Sequence, residues 1–289
     1  MSSLYAGYPD RAALDAAYDV ENSVPDFMVF AEKFMADAAS ARAALNPRED
    51  VPYGPTLMET VEVYPAAGDA PAPIFVFIHG GYWKSLHASV FSGVAPGPVA
   101  AGMAVVNVTY DLCPSVTIAE IVRQVRAAIA WAWHNAESFG GDRNRIIVAG
   151  HSAGGHLTAM AMLTDWSRYG LPDDVVKAGF AISGLFDLEP LSFSWIQQDL
   201  RLTAETIRWQ SPINLVKPVS APLVVAWGDA DPSAFAGQSE RFAAAWKAAG
   251  NAVTSFVIEN ANHFEVLDGF LAADGIMTRT LLDLVRKIS

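Results

Sequence analysis

A serine flanked by glycines, where an apolar run gives way to a helical pattern, is the feature that most constrains this chain. The motif is Gly150-His151-Ser152-Ala153-Gly154, and it follows the apolar run 145–149. Glycines on both sides allow a turn so tight that the serine hydroxyl stands exposed at the strand tip, over the N-terminus of the next helix. The five residues alone also suit an ordinary strand–helix loop. Their position between a predicted strand and a predicted helix favours a nucleophile elbow with Ser152 as the nucleophile.

Short apolar runs of strand length recur from residue 74 to the end of the chain, and helical stretches separate them. Uniformly apolar, β-branched runs suit strands that are covered on both faces, as in a parallel sheet. Between the second and third runs, apolar residues over 118–129 repeat at helical spacing. The pattern predicts a mostly parallel, doubly wound α/β sheet with helices on both faces. The predicted strands are 74–78, 104–108, 145–149, 178–183, 222–227 and 253–258.

The regions outside this alternation complete the predicted architecture. Residues 11–45 are rich in alanine and predict a helix, and residues 56–64 alternate as a half-buried strand near a sheet edge does. Residues 188–215 lie between two predicted strands and are rich in Trp, Phe and Leu, which is typical of a small cap over a site. We therefore expect a single domain over residues 1–289, with an N-terminal helical segment at 1–50 and a cap insertion at 188–215.

A second motif, His79-Gly80-Gly81-Tyr82-Trp83, directly follows the predicted strand 74–78. Glycines in this position let the backbone approach a reacting carbon and direct amide groups at the oxyanion of a tetrahedral intermediate. We expect the amides of Gly81, Tyr82 and Ala153 to form this oxyanion hole. Taken alone, the motif also suits a tight turn with an aromatic plug.

The serine needs a general base and a carboxylate that orients it. His263 follows the last predicted strand, where the chain returns to the nucleophile's side of such a sheet. Two carboxylates, Asp229 and Asp231, follow the preceding strand. Asp231 is preferred because it lies further along the loop, whereas Asp229 suits a turn cap. The predicted triad is Ser152, Asp231 and His263, and this order in the chain is that of the α/β-hydrolase fold.

Composition excludes several classes of function. Lys and Arg number 19 against 31 Asp and Glu, and no cluster of cations is present to bind nucleic acid or an anionic membrane surface. Cys113 is the single cysteine, the start of the chain has no signal-peptide pattern, and the apolar runs are too short to span a membrane. We expect a cytoplasmic protein with no cofactor, no metal, no nucleic-acid partner and no membrane partner. A homodimer is the default expectation for its assembly.

Several segments resemble the kynurenine formamidase (arylformamidase) family of α/β-hydrolases, which is related to hormone-sensitive-lipase-like esterases. The resemblance begins near Val51 and runs almost to the C-terminus, and the family's triad corresponds to the three residues predicted above. The segments that carry it are 79–83, 110–114, 150–157, 183–191, 211–213 and 263–264.

The resemblance implies hydrolysis of N-formyl-L-kynurenine to formate and kynurenine through a formyl-serine intermediate. The expected substrate is a small aromatic amide or ester, and aromatic rings on the cap would offer stacking surfaces. For His151 the alternative to lining the pocket is a packing or hydrogen-bonded role. Some of the aromatic rings must also fill the core. The residues expected to line the substrate pocket are Tyr82, Trp83, His151, Trp195 and Phe264.

Two other functions stay open at this point. The same triad would serve a carboxylesterase or acylamidase that acts on another small ester, amide or carbamate. A non-catalytic ligand receptor on the same fold is a more remote alternative, since a fold does not by itself fix a function.

Overall fold

The computed structural model of the chain describes residue 5, residues 7–68 and residues 70–288. The expected absence of a signal peptide concerns the start of the chain, of which residues 1–4 and 6 lie outside the described residues. The strands are β1 (Arg48–Pro52), β2 (Thr60–Tyr64), β3 (Ala72–Ile78), β4 (Ala104–Val108), β5 (Gly141–His151), β6 (Ala178–Ile182), β7 (Leu223–Gly228) and β8 (Val253–Ile258).

These strands form one sheet in the order β1-β2-β4-β3-β5-β6-β7-β8. β3 to β8 run parallel to one another, and β1 and β2 pair antiparallel at one edge. The predicted mostly parallel sheet of an α/β-hydrolase is therefore confirmed. The register sets Ile78 beside Gly150, His151 beside Ile182, and Gly228 beside Ile258. The carboxyl ends of β3 and β5 to β8 consequently meet at one edge of the sheet.

Helices cover both faces of the sheet. None of the helices within the described ranges combines the length and apolar character that a membrane crossing requires. The helices are α1 (Arg11–Tyr18), α2 (Phe27–Leu45), α3 (Pro96–Ala100), α4 (Ile118–Asn135), α5 (Ala153–Met162), α6 (Gln197–Leu200), α7 (Ala204–Gln210), α8 (Ser233–Ala248) and α9 (Ile276–Ile288).

Alternate side chains of β3 belong to two different cores. Ile74, Val76 and Ile78 pack with apolar residues of α4, α5 and α8 on one face. Phe75 and Phe77 pack with α9 and with the 3₁₀ turn before α3 on the other face. This double coverage explains why the central strands are apolar without alternation.

The single helix predicted for residues 11–45 is wrong, because the structure divides it into α1 and α2. α1 ends at Tyr18, and the carboxylate of Asp26 caps the first turn of α2. Pro25 disfavours helical backbone at Val24, and the Asp19 carboxylate accepts hydrogen bonds from the backbone amide (3.1 Å) and the side chain (2.6 Å) of Asn22. The break leaves a loop between the two helices.

The strand predicted at 56–64 starts later and is buried on both faces. β2 begins at Thr60, and the sheet edge belongs to β1. Glu62 is buried because its carboxylate accepts hydrogen bonds from Ser92 Oγ (2.7 Å) and Tyr64 Oη (3.2 Å). β1 has the sequence Arg-Glu-Asp-Val-Pro, in which no apolar alternation marks a strand.

Candidate active site

Ser152 occupies a strained turn between β5 and α5. Its φ of 58° and ψ of −118° lie outside the regions that non-glycine residues favour. A Cβ on Gly150 would lie 2.3 Å from the carbonyl oxygen of Gly154, and one on Gly154 would lie 1.9 Å from that of Ile78. Only glycine fits at both positions. The Ser152 amide donates to the Ile182 carbonyl at 2.9 Å, which fixes the turn against β6.

His263 and Asp231 form a buried pair at the carboxyl ends of β8 and β7. His263 Nδ1 lies 2.7 Å from Asp231 Oδ1. Asp231 Oδ2 accepts hydrogen bonds from Ser183 Oγ (2.7 Å) and from the Gly228 amide (2.9 Å). Because the carboxylate can only accept, Nδ1 carries the proton in the neutral imidazole, and Nε2 is left with a lone pair that can accept one.

Asp229, the alternative carboxylate, has a different role. It is exposed, and its oxygens accept hydrogen bonds from the amides of Asn260 (2.9 Å) and Ala261 (3.1 Å). The hydrogen bond from the Asn260 amide, followed by that from Ala261, lowers the pKa of Asp229 below its usual value. Asp229 therefore shapes the loop before His263, and Asp231 is the carboxylate that contacts the imidazole.

Residues 79–83 after β3, called the glycine loop below, lie directly against Ser152. A Cβ on Gly80 would lie 3.0 Å from the Ser152 Cβ, and one on Gly81 would lie 2.3 Å from the Ser85 carbonyl oxygen. Gly81 has a φ of 101° and Tyr82 a φ of 50°. In the described part of the chain, the amides of Gly81, Tyr82 and Ala153 donate to no backbone carbonyl. These three amides thus have hydrogen-bonding capacity to offer a ligand.

Ser152 and His263 border a cavity of about 510 Å³. Of the residues predicted to line a substrate pocket, Tyr82, Trp195 and Phe264 border it. His151 borders it too, with its ring 4.5 Å from the His263 ring. Burial lowers the pKa of His151 well below its usual value, so its imidazole is neutral at pH 7.

The expectation that Trp83 lines the pocket is wrong. Its side chain is fully buried beneath the glycine loop, and it does not border the cavity. Trp83 Nε1 donates to His156 Nδ1 at 3.2 Å, and His156 Nε2 in turn donates to the Gln210 carbonyl at 2.6 Å. The indole turns inward because this buried acceptor lies below the loop.

The loop after α1 and helix α2 supply a large part of the cavity lining, a contribution that the sequence did not lead us to expect. The segment 188–215, predicted as the cap, supplies Trp195 to the lining. The signal for the N-terminal cover was the spacing of Phe27, Phe30 and Phe34 on one face of α2. The lining residues from the N-terminal segment are Asp19, Val20, Glu21, Asn22, Phe27, Ala31, Phe34 and Met35.

Phe264 connects helix α2 to the loop that carries His263. Its ring centroid lies 5.4 Å from that of Phe27, 5.2 Å from that of Phe30 and 6.5 Å from that of Phe34. Such ring contacts add to the free energy of burying the rings. Since Phe264 follows His263 directly, the packing of α2 helps to hold the imidazole loop in place.

Within residues 5, 7–68 and 70–288, no three His, Cys, Asp or Glu side chains are grouped as a metal site requires. The polar groups that converge on the cavity are of the kinds that acyl transfer requires: a hydroxyl, an imidazole that contacts a carboxylate, and amides with no acceptor among the described residues.

The chain is similar to known hydrolase families, proteins and structures. The BD-FAE family model matches residues 62–246. A kynurenine formamidase from Danio rerio is 30% identical over 86% of this chain and 85% of its own length. Esterase LipC from Mycobacterium tuberculosis is 31% identical over 69% of this chain and 55% of its own length. The crystal structure of a candidate thioesterase from Silicibacter sp. tm1040 is 29% identical, with a TM-score of 0.83 over 93% of this chain and 98% of that one.

The two carboxylates after β7 differ in what their removal should do. Asp231→Asn should lower kcat on an activated ester by about 10³- to 10⁴-fold, because an amide no longer holds the imidazole in the required tautomer. Asp229→Asn should change kcat by less than about 5-fold, because it contacts only backbone amides. The measurement is kcat for p-nitrophenyl acetate at pH 8. Equal losses in the two variants would contradict the assignment.

Ser183→Ala should lower kcat by about 10-fold and keep the fold, because it removes one of the donors that orient Asp231. Ser239→Ala is the matched control, since the buried Ser239 hydroxyl has no hydrogen-bond partner among the described residues. Steady-state kinetics and thermal melts should separate the two variants. A Ser183→Ala enzyme with the activity of the control would show that the hydroxyl does not orient the carboxylate.

His156 should make the folded state sensitive to acid. Burial lowers its pKa from 6.5 to about 4, so below pH 6.5 the unfolded chain binds a proton that the folded chain does not. The free energy of unfolding should fall between pH 6.5 and 4, by roughly 3 kcal/mol from this group. His156→Gln should flatten this dependence in urea titrations, whereas His134→Gln, at an exposed position, should not. An unchanged slope in the His156 variant would refute the prediction.

Proposed function

We propose that this chain, which belongs to the BD-FAE family and to the kynurenine formamidase family, is a serine hydrolase that cleaves the formamide of N-formyl-L-kynurenine or a similar aryl formamide. It is a hydrolase with the α/β-hydrolase fold. The observation that carries it is that Ser152 borders the same cavity as His263, whose imidazole is paired with Asp231, and that the rest of the lining is largely apolar and aromatic.

In the first half of the proposed reaction, Ser152 Oγ attacks the formyl carbon while His263 Nε2 takes its proton. The oxyanion that forms accepts hydrogen bonds from the amides of Gly81, Tyr82 and Ala153. Asp231 stabilises the imidazolium and keeps its orientation. The carbon–nitrogen bond then breaks as the imidazolium protonates the arylamine nitrogen, and kynurenine leaves.

In the second half, water attacks the formyl ester on Ser152, and His263 takes the proton of this water. The tetrahedral intermediate collapses when the imidazolium returns the proton to Ser152 Oγ, and formic acid leaves and ionises to formate in water. The same three amides donate hydrogen bonds to the second oxyanion as they do to the first.

The cavity supports an aromatic leaving group. Its volume of about 510 Å³ lies within the range of small-molecule sites. Formyl is the smallest acyl group, so most of this volume would hold the arylamine part of the substrate. Asp19, Glu21 and Lys84 also border the cavity and carry both signs of charge that a zwitterionic amino-acid group requires. The aromatic residues that would contact the ring are Phe27, Phe34, Phe91, Tyr82, Trp195 and Phe264.

A second candidate function is the hydrolysis of another small ester or amide by the same residues. The similarity to esterase LipC and to the candidate thioesterase favours it, since both descriptions refer to ester-type bonds. An activated ester therefore belongs in the test beside the formamide.

The wild-type protein should hydrolyse N-formyl-L-kynurenine with a kcat/KM of about 10⁴ M⁻¹ s⁻¹ or more, as an ordinary enzyme does with its substrate. Ser152→Ala should lower this value by at least about 10⁴-fold, because the nucleophile is lost while the cavity remains. The release of kynurenine is followed by absorbance, and p-nitrophenyl acetate is measured in parallel.

The two substrates separate the candidate functions. Activity on the ester with a kcat/KM on the formamide below about 10² M⁻¹ s⁻¹ would reject the formamidase and retain the serine hydrolase. Full activity of Ser152→Ala on both substrates, with an unchanged melting temperature, would reject the serine mechanism.

A further inference from the structure

The backbone of the glycine loop after β3 is strained at Tyr82 and Trp83. Tyr82 has a φ of 50° and Trp83 a φ of 56°, so two successive non-glycine residues take left-handed backbone conformations. Such conformations persist only where the surrounding structure holds them. Trp83 is held from below by the bond from its indole to His156. Tyr82 must be held from elsewhere.

The Tyr82 side chain reaches helix α1. Its hydroxyl donates a short hydrogen bond to the carbonyl oxygen of Tyr18, the last residue of that helix. The final carbonyls of a helix have no acceptor role within the helix, so they accept from other groups. Tyr82 is 6% exposed, and burial raises the pKa of Tyr82 well above its usual value, which keeps the hydroxyl protonated as a donor.

Helix α1 is itself anchored to the body of the protein. Leu14 is fully buried in the core that packs against α8. Gln238 Nε2 on α8 donates to the Tyr18 hydroxyl at 2.9 Å. Asp15 accepts a hydrogen bond from the amide of Trp195 at 2.8 Å. These contacts fix the Tyr18 carbonyl relative to the strand ends that carry the catalytic groups.

We propose that helix α1 is a positioning element of the oxyanion hole: the Tyr18 carbonyl, by accepting from the Tyr82 hydroxyl, holds the Tyr82 backbone so that its amide stays directed at the developing oxyanion. This inference rests on the proposed serine-hydrolase function. Tyr18 touches no reacting atom and acts through Tyr82. The contact joins residues far apart in the chain, so the N-terminal helix contributes to turnover as well as to stability.

Tyr82→Phe tests the contact, because it removes one oxygen atom and keeps both the ring and the amide. We expect kcat for p-nitrophenyl acetate to fall by about 10-fold, with KM changed by less than about 2-fold. Complete removal of one oxyanion-hole donor lowers kcat by about 10²- to 10³-fold, and a donor that is only displaced should lose part of that effect. The affinity for phenylboronic acid, which forms a tetrahedral adduct on a catalytic serine, should fall by the same factor.

Tyr53→Phe is the matched control. The Tyr53 hydroxyl also donates to a backbone carbonyl, that of Thr109, at 2.6 Å, and Tyr53 does not border the cavity. The control should lower the melting temperature without changing kcat or the boronic acid affinity. A merely structural role for the Tyr82 hydroxyl would give the two variants the same kinetics, and that result overturns the inference.

A second variant tests the same route from the helix side. Leu14→Ala should loosen α1 although it changes no residue of the glycine loop, and an N-terminal helix can undock without global unfolding. We expect Leu14→Ala alone to lower kcat. When it is combined with Tyr82→Phe, kcat should fall no further than in Tyr82→Phe alone. Additive losses would show that α1 does not act through Tyr82.

The wild-type enzyme separates a failure of the positioning role from a failure of the proposed function. A wild-type enzyme that hydrolyses the ester, beside a Tyr82→Phe enzyme with unchanged kcat and boronic acid affinity, overturns the positioning role and leaves the proposed function standing. A wild-type protein that hydrolyses neither ester nor formamide overturns both.

Discussion

The site depends on a close approach of backbone atoms that no side chain permits. A Cβ on Gly154 would lie 1.9 Å from the Ile78 carbonyl oxygen, so α5 can begin against the end of β3 only with glycine there. Ser152 takes its strained conformation between these two elements. Gly80 also lies against Ser152, so the same close approach fixes the position of the serine relative to the glycine loop. The packing of apolar cores on both faces of the sheet offsets the backbone strain at Ser152.

The parallel sheet brings the remaining groups to that point. Ser152, Ser183, Asp231 and His263 each follow a different strand, β5 to β8 in order. Since parallel strands end at the same edge, residues distant in the chain become neighbours there. The pair formed by Asp231 and His263 depends on the register of the last two strands, in which Gly228 lies beside Ile258. Ser183 reaches Asp231 from the adjacent strand and satisfies its second oxygen.

Local sequence signals predicted the features that depend on local backbone. The central strands are continuous apolar runs because both of their faces are covered, and the family resemblance carried by the motifs is confirmed. The interruption between α1 and α2 was missed because alanine-rich composition masked the effect of Pro25. Trp83 was assigned to the pocket although its indole bonds to His156, a contact that spans 73 positions. Local patterns do not report partners at that distance.

Many of the residues that line the cavity lie outside the part of the chain that the family model matches. The family model matches residues 62–246, a range that contains Ser152 and Asp231 but not α1 or α2. Much of the cavity lining comes from residues 19–35, outside that range. Membership in the family therefore bears on the chemistry more directly than on the substrate. The aromatic face of α2 contacts Phe264, so the helix that shapes the cavity also packs against the loop that carries His263. A change in substrate preference that alters this face must preserve its contact with Phe264, because the imidazole's position depends on the loop that the ring anchors.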